Sequence, residues 1–461
     1  MSAAVLRTEV RRSSAFWAGV LVPALALGLI YGMYSKGPWW KDPVRWTEQW
    51  VPMAIWGRFL LVFLWPLAAG LGAALGMRDA RSGMTELIAT TARPARRRAL
   101  VTAGALALML SAGYLLVAAV SAVQIASTGT YLTFGWVPIT LVGIGGLVAG
   151  GLLGMGLGRA LPSPLTPALL SSGSLVVVIA LWSSTATGSV GDGFLPGRIA
   201  LLSPTLAAPA DPWHTVAGRV TAGQALWMTG LAVAGFLLVA AKDRAARLLA
   251  AVPAAAGLVA ALALFPAHAA LVPDAGAAKL VCQGAVCVTK VHEGKLAVLA
   301  GPARDALRQL RVLPGAPVRV EETPTVHQTE SAPPRSASAI LVDFGDFEFW
   351  HLEGDALRRA LLAGAGTPTC LDELRATDAR LIPEFAARTV AASWFDGQLR
   401  PLRGYRYAAA GVAAKAQQAW DGLQRLPRSE QAARIAAVRQ AGLTCQGDEY
   451  AILTSGAGVA R

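Results

Sequence analysis

Seven apolar stretches, each long enough to cross a lipid bilayer, limit what this chain can fold into. They run over Phe16–Tyr34, Val51–Met77, Ala99–Ala126, Ile139–Gly158, Leu165–Trp182, Thr221–Ala241 and Leu248–Val272. In hydrocarbon a backbone must satisfy its own hydrogen bonds, so runs of this length are expected to be helices. The whole chain agrees: 54% hydrophobic residues, 15% charged residues and a mean hydropathy of +0.48 belong to an integral membrane protein. The expected fold is an α-helical polytopic membrane protein of about 6–7 transmembrane helices over residues 1–272. A small α+β extracytoplasmic domain over residues 273–461 follows it.

Charge supports that division. Residues 1–271 hold 19 Lys and Arg against 8 Asp and Glu, whereas residues 272–461 hold 22 against 20. The basic excess therefore belongs to the membrane half, where loop arginines set orientation. A nucleic-acid-binding protein would carry its basic patch on the soluble part, which is nearly neutral, so that partner is excluded. Between the second and third stretches, Arg78, Arg81, Arg93, Arg96, Arg97 and Arg98 oppose only Asp79 and Glu86, marking a cytoplasmic loop. Its middle, Met84–Ala89, is good helix material bounded by Gly83 and Pro94. A short helix there is placed to dock on something outside the membrane.

The rest of the topology follows from the same rule. Arg7, Arg11 and Arg12 keep the N-terminus inside. The small-x-small string Ala24–Leu25–Ala26 sits within the apolar run rather than after it, so retention is expected over cleavage, with an elbow helix along the inner surface. Trp39, Trp40, Trp46 and Trp50 form an outer aromatic belt, although Lys36, Lys41 and Arg45 run against the charge rule there. Ser127–Pro138 has no Lys or Arg and reads as outside; Arg159, and later Lys242, Arg244 and Arg247, mark inner turns. Seven crossings from an inner N-terminus put the C-terminal domain outside.

Within the spans two features stand out. Gly146, Gly150, Gly154 and Gly158 recur every four residues and form one ridge that lets another backbone approach, within the chain or between subunits. Arg58 is the one charge clearly inside a span, and it either snorkels to the outer interface or faces a substrate path.

In the C-terminal domain Val286–Val291, Leu296–Ala300, Val318–Glu321 and Ala339–Phe349 read as strands. Pro302–Leu310, Asp355–Ala363, Leu371–Phe395, Gly411–Gln424 and Ser429–Gln440 read as helices, and Glu322–Ser338 as a linker. Cys282, Cys287, Cys370 and Cys445 all fall here, on the oxidising side, which predicts two disulfides. Of the three pairings, Cys282–Cys287 with Cys370–Cys445 is favoured because the first pair can close a small hairpin; a zinc site is the rival.

Motifs for chemistry are missing. The chain has no phosphate-cradling GxxxxGK[S/T], no HExxH and no GxSxG. His214, His268, His292, His327 and His351 lie at or beyond the outer interface, and most of them read as ordinary surface or interface residues. No enzyme, metal or cofactor is expected in this chain.

A basic start, two spans and an inner loop reading Gly83–Met84–Thr85–Glu86–Leu87–Ile88–Ala89–Thr90–Thr91–Ala92–Arg93–Pro94–Ala95–Arg96 resemble the permeases of type-2 ATP-binding-cassette (ABC) transporters. The resemblance covers about residues 1–245. It implies that the loop is a coupling helix seated in a groove of a cytoplasmic ABC ATPase, with Gly83, Glu86, Thr90, Arg93 and Arg96 at the contact. It also implies a second permease copy or homologous permease as partner, and ATP with Mg in the ATPase rather than in this chain. The seventh span and the outer domain depart from the family's usual six spans. Val281–Val288 and Leu313–Val320 are similar to outer domains on permeases of high-GC Gram-positive bacteria. The expectation is an export permease of the plasma membrane. A membrane-anchored receptor or scaffold with a ligand-binding outer domain is the alternative.

Overall fold

The computed structural model describes residues 15–36, 49–83, 95–128, 131–184, 195–209, 211–266, 270–324, 333–371, 376–404 and 407–455. They fall into two compact units, Met1–Asp274 and Ala275–Arg461.

The first unit is a helix bundle. Its longer helices are α1 (Ala15–Lys36), α2 (Trp50–Phe59), α3 (Leu61–Gly76), α4 (Ala95–Thr128), α5 (Trp136–Ala160), α6 (Thr166–Ser183), α7 (Gly218–Ala240) and α8 (Val252–Leu264), the last preceded by a short helical piece over Arg244–Leu249. Among the described residues six helices are long and apolar enough to cross a membrane, and the bent pair α2–α3 raises the number to seven. Only Thr166 and Val178 of α6, and Gly257 and Ala261 of α8, are buried. Leu169, Val176, Val177 and Val259 instead face outward. A helix in water turns a polar face to solvent; these turn apolar side chains out on every side, the pattern of a multi-pass membrane protein.

Two expected spans differ. Val51–Met77 is not one helix: α2 and α3 meet at an angle of 48° at Leu60. The break lies between Gly57, which weakens a helix, and Pro66, which leaves the Val62 carbonyl without its helical donor. Leu248–Val272 ends early, because α8 stops at Leu264 and Leu271–Pro273 (β2) pairs antiparallel with His214–Val216 (β1). The apolar count carried the reading past a true helix end, since a short half-exposed strand is equally apolar.

Close approach of α3, α5 and α7 is built on small residues. A side chain at Gly154 would run into the Ala69 carbonyl, one at Gly158 into the Ala73 carbonyl, and one at Gly150 would meet the Trp65 indole at 2.8 Å. Gly146 lies against Leu61 and Pro204. The ridge seen in the sequence is thus a contact within this chain, between α5 and α3. On another side of α5, Gly156 faces the Gly235 carbonyl of α7.

The second unit contains a four-stranded sheet in the order β3 (Leu280–Gln283), β4 (Val286–Thr289), β5 (Arg319–Glu322), β6 (Ala339–Val342). β3 and β4 are an antiparallel hairpin turned through Gly284, whose φ of +63° suits glycine. β4, β5 and β6 run parallel, and α9 (Leu296–Leu310) forms the crossover between β4 and β5. Leu299, Ala303, Ala306 and Leu310 repeat at helical spacing and pack with Val286, Val288, Val320 and Ile340 in one core. Four further helices follow: α10 (Gly354–Leu362), α11 (Asp378–Asp396), α12 (Val412–Gln424) and α13 (Arg428–Thr444), before a short α14 (Glu449–Thr454).

Leu296–Ala300, expected as a strand, is the first part of α9; five apolar residues cannot distinguish a strand from a buried helical turn. The strand expected over Ala339–Phe349 ends at Val342, because Asp346 accepts the Glu348 and Phe349 amides and caps a helical turn over Phe347–Trp350. The helix expected from Leu371 begins at Asp378. Cys282 pairs with Cys287 across the hairpin, and Cys370 with Cys445. These bonds engage all four sulfurs, which removes the zinc alternative.

Candidate functional site: a buried arginine at a broken span

Arg58 lies in the last turn of α2, two residues before the break at Leu60, and is 1% exposed. It does not snorkel. Its Nε donates to the Pro204 carbonyl at 2.8 Å and its Nη2 to Gln224 Oε1 at 3.0 Å. Gln224, on α7, is fully buried and donates from Nε2 to the Leu201 and Ser203 carbonyls at 3.0 and 3.2 Å. Trp227, one turn on, donates to the Leu202 carbonyl at 3.0 Å.

The reason for this assembly lies in the segment it holds. A short helix, Gly197–Ala200, ends inside the bundle, and the turn after it presents four successive carbonyls from Leu201 to Pro204. Carbonyls buried away from water need donors. Arg58, Gln224 and Trp227 supply them. The polar side chains of α2 and α7 therefore exist to accept an irregular segment into an apolar bundle, a device seen where membrane helices are interrupted.

Two hydroxyls lie alongside. Tyr114 of α4 and Thr140 of α5 are 5% and 4% exposed, and neither Oη nor Oγ1 has a hydrogen-bond partner among the described residues. Tyr114 Oη and Arg58 Cδ both crowd the Cα of Gly143, where any side chain would collide with them. Tyr114 and Thr140 also line a fissure between α1, α2, α3, α4 and α5, whose walls are otherwise apolar (Ile30, Met53, Leu60 and Leu64 among them) apart from Ser121, whose hydroxyl donates to the Val117 carbonyl. About 20 Å³ of it is open to a water-sized group. No carboxylate among the described residues lies within ion-pair distance of Arg58.

Elsewhere the expected loop is described only at its ends. Gly83 is exposed with φ +64°, and Arg96 is exposed on the first turn of α4. Glu86, Thr90 and Arg93 lie outside the described residues, as does the elbow expected over residues 1–14. Asp79, in the basic turn after α3, sits 3.7 Å from Arg159 at the end of α5, so those two helix ends share one side of the bundle.

In the second unit His292 is not an ordinary surface residue. It is 6% exposed and its Nδ1 meets Glu322 Oε1 at 2.5 Å, while Glu322 Oε2 accepts from the Thr289 amide and hydroxyl at 2.7 and 2.8 Å. Histidine here ties β4 to β5. A second cluster places Arg388 and Glu449 deep in the helical part. Burial pushes the Glu449 carboxyl up to about 7, against the opposing pull of Arg388. No group of three or more His, Cys, Asp or Glu able to hold a metal occurs among the described residues.

Reading the sequence identified Arg58 but missed its partners. Gln224 carried a signal, being the one carboxamide in the Thr221–Ala241 run. Tyr114 and Thr140 carried none, since lone hydroxyls are common in membrane helices. No protein-family model, curated protein or solved structure matches this chain.

Proposed function

We propose that the chain is the membrane-spanning subunit of an ATP-driven exporter, powered by a separate cytoplasmic ATPase that docks on Gly83–Arg98. The observation that carries the reading is Arg58: a cation held inside an apolar bundle, at a broken span, with no carboxylate beside it among the described residues. Placing an arginine at membrane depth costs about 2.5–3.5 kcal/mol or more, and among the described residues anchoring the 201–204 turn engages only two of its five N–H groups. Interrupted helices and intramembrane charges recur together where a transported group is handled. The coupling assignment rests on the Gly83–Arg96 pattern and on the excess of arginine around it.

In this reading the N-terminus and the arginine loop are cytoplasmic, the second unit is extracytoplasmic, and its two disulfides suit that compartment. A second permease copy or a homologous permease completes the pathway. Closure of the ATPases pushes on the loop, and the Asp79–Arg159 side of the bundle transmits the push to α3 and α5. The mechanism in this chain is mechanical and electrostatic; ATP is hydrolysed in the partner.

The test is a crosslink. Glu86→Cys, made in a chain whose own cysteines are disulfide-bonded, should capture a nucleotide-hydrolysing protein from native membranes, and Gly397→Cys should not. Capture of a protein that does not hydrolyse nucleotide, or capture at both positions, would favour the receptor alternative.

A further inference from the structure

We infer that Arg58, Tyr114 and Thr140 form an internal oxyanion site, and that the exported molecule is an amphiphile carrying a carboxylate or phosphate. The substrate class rests on the transport reading; the binding site does not. Among the described residues, two of the five guanidinium N–H groups of Arg58 are engaged. The Tyr114 and Thr140 hydroxyls, both more than nine-tenths buried, can donate and have nothing to donate to among the described residues. All three side chains offer donors, one offers a full positive charge, and no carboxylate among the described residues competes for it. That is the complement of an oxyanion.

The surroundings select the rest of the molecule. The fissure reaching these hydroxyls is lined mainly by Ile30, Met53, Trp56, Leu60, Leu64 and Val117. An ion with no apolar part would lose its hydration without gaining contacts there. With about 20 Å³ open, the described state is closed around the polar end. Entry of a chain requires α2 to move from α4, and the break at Leu60 provides the hinge.

A structural role alone makes the opposite prediction for the hydroxyls. Deleting a buried hydroxyl that has no partner is neutral or stabilising. Tyr114→Phe and Thr140→Val should therefore fold at least as well as the parent while binding the anion less.

The experiment is native mass spectrometry of the full chain in a neutral maltoside detergent, titrated with dodecyl phosphate, with inorganic phosphate and dodecanol as separate arms. Melting temperature and co-purified ATPase activity are recorded on the same samples. We expect one dodecyl phosphate per chain, weakened at least tenfold by Arg58→Gln and by Tyr114→Phe, with the melting temperature of Tyr114→Phe unchanged or raised. Dodecanol, and inorganic phosphate alone, should bind at least tenfold more weakly. Equal binding by the parent and by Tyr114→Phe would overturn the site. Inorganic phosphate binding as tightly as dodecyl phosphate would overturn the amphiphile. Dodecyl phosphate bound through Arg58 in a preparation devoid of ATPase would leave the site standing and remove the transport reading.

Discussion

Glu449 offers a quantitative test of the second unit. It is the first residue of α14, 6% exposed, and neither carboxylate oxygen accepts a hydrogen bond among the described residues. Burial raises its pKa from 4.5 to about 7; Glu384 and Asp448 act in the same direction, and Arg388 and Arg335 oppose them. The folded state therefore holds the proton more tightly than the unfolded chain. Between pH 4.5 and about 7 the folded state carries more protons, so stability falls as pH rises through that window and is flat above it. At 1.36 kcal/mol per pH unit the loss is about 3 kcal/mol. Glu449→Gln removes the titration and keeps the shape. Its stability relative to the parent should rise by about 3 kcal/mol from pH 4.5 to pH 8. Hydrogen exchange of the full chain, read on peptides spanning 378–454 and corrected for intrinsic rates, measures it. A difference between variant and parent that is the same at both pH values would refute the argument. A parent that gains on the variant as pH rises would show that Arg388 outweighs burial.

Three further outcomes follow from packing and covalent structure. Gly154→Ala forces α5 off the Ala69 carbonyl and should lower thermal stability in detergent by about 1–3 kcal/mol, whereas Gly104→Ala, with open space around it, should not. Gln224→Leu removes the donors to the Leu201 and Ser203 carbonyls and the acceptor for Arg58 Nη2, leaving Arg58 its bond to the Pro204 carbonyl; a loss of about 2–5 kcal/mol is expected, read as a lower melting temperature, and an unchanged one would contradict the network. Cysteines 370 and 445 enclose a separation of 75 residues, against 5 for Cys282–Cys287. Replacing Cys370 and Cys445 by serine should thus cost about 4 kcal/mol and replacing Cys282 and Cys287 about 2, and alkylation should find no thiol before reduction.

How far the sequence carried the fold depends on the kind of signal. Apolar runs placed the long described helices of the first unit, because a continuous apolar run of that length can satisfy its own backbone hydrogen bonds as a helix. They could not show the break at Leu60, where the run stays apolar through both halves, nor the end of α8, where an apolar strand follows closely. The glycine ridge was visible at its spacing; that it meets Ala69 and Ala73 of the same chain was not, since any close backbone serves. In the second unit α11 through α13 follow their periodicity, while Leu296–Ala300 and Phe347–Trp350 look like strands in sequence and are helical in the fold, because short apolar runs carry no period. At the candidate site Arg58 was legible as a charge in the wrong solvent. The carbonyls of 201–204 were not, since backbone demand has no letter of its own.

The central claim is that this chain is coupled through its arginine loop to an ATPase. The most direct measurement is the ATP hydrolysis recovered with the tagged, full-length protein in mild detergent, compared with Glu86→Arg. The account predicts hydrolysis that co-purifies with the parent and is lost with the variant, while both chains extract equally. An intact parent that repeatedly emerges without ATPase activity, or a variant that retains all of it, would contradict the account.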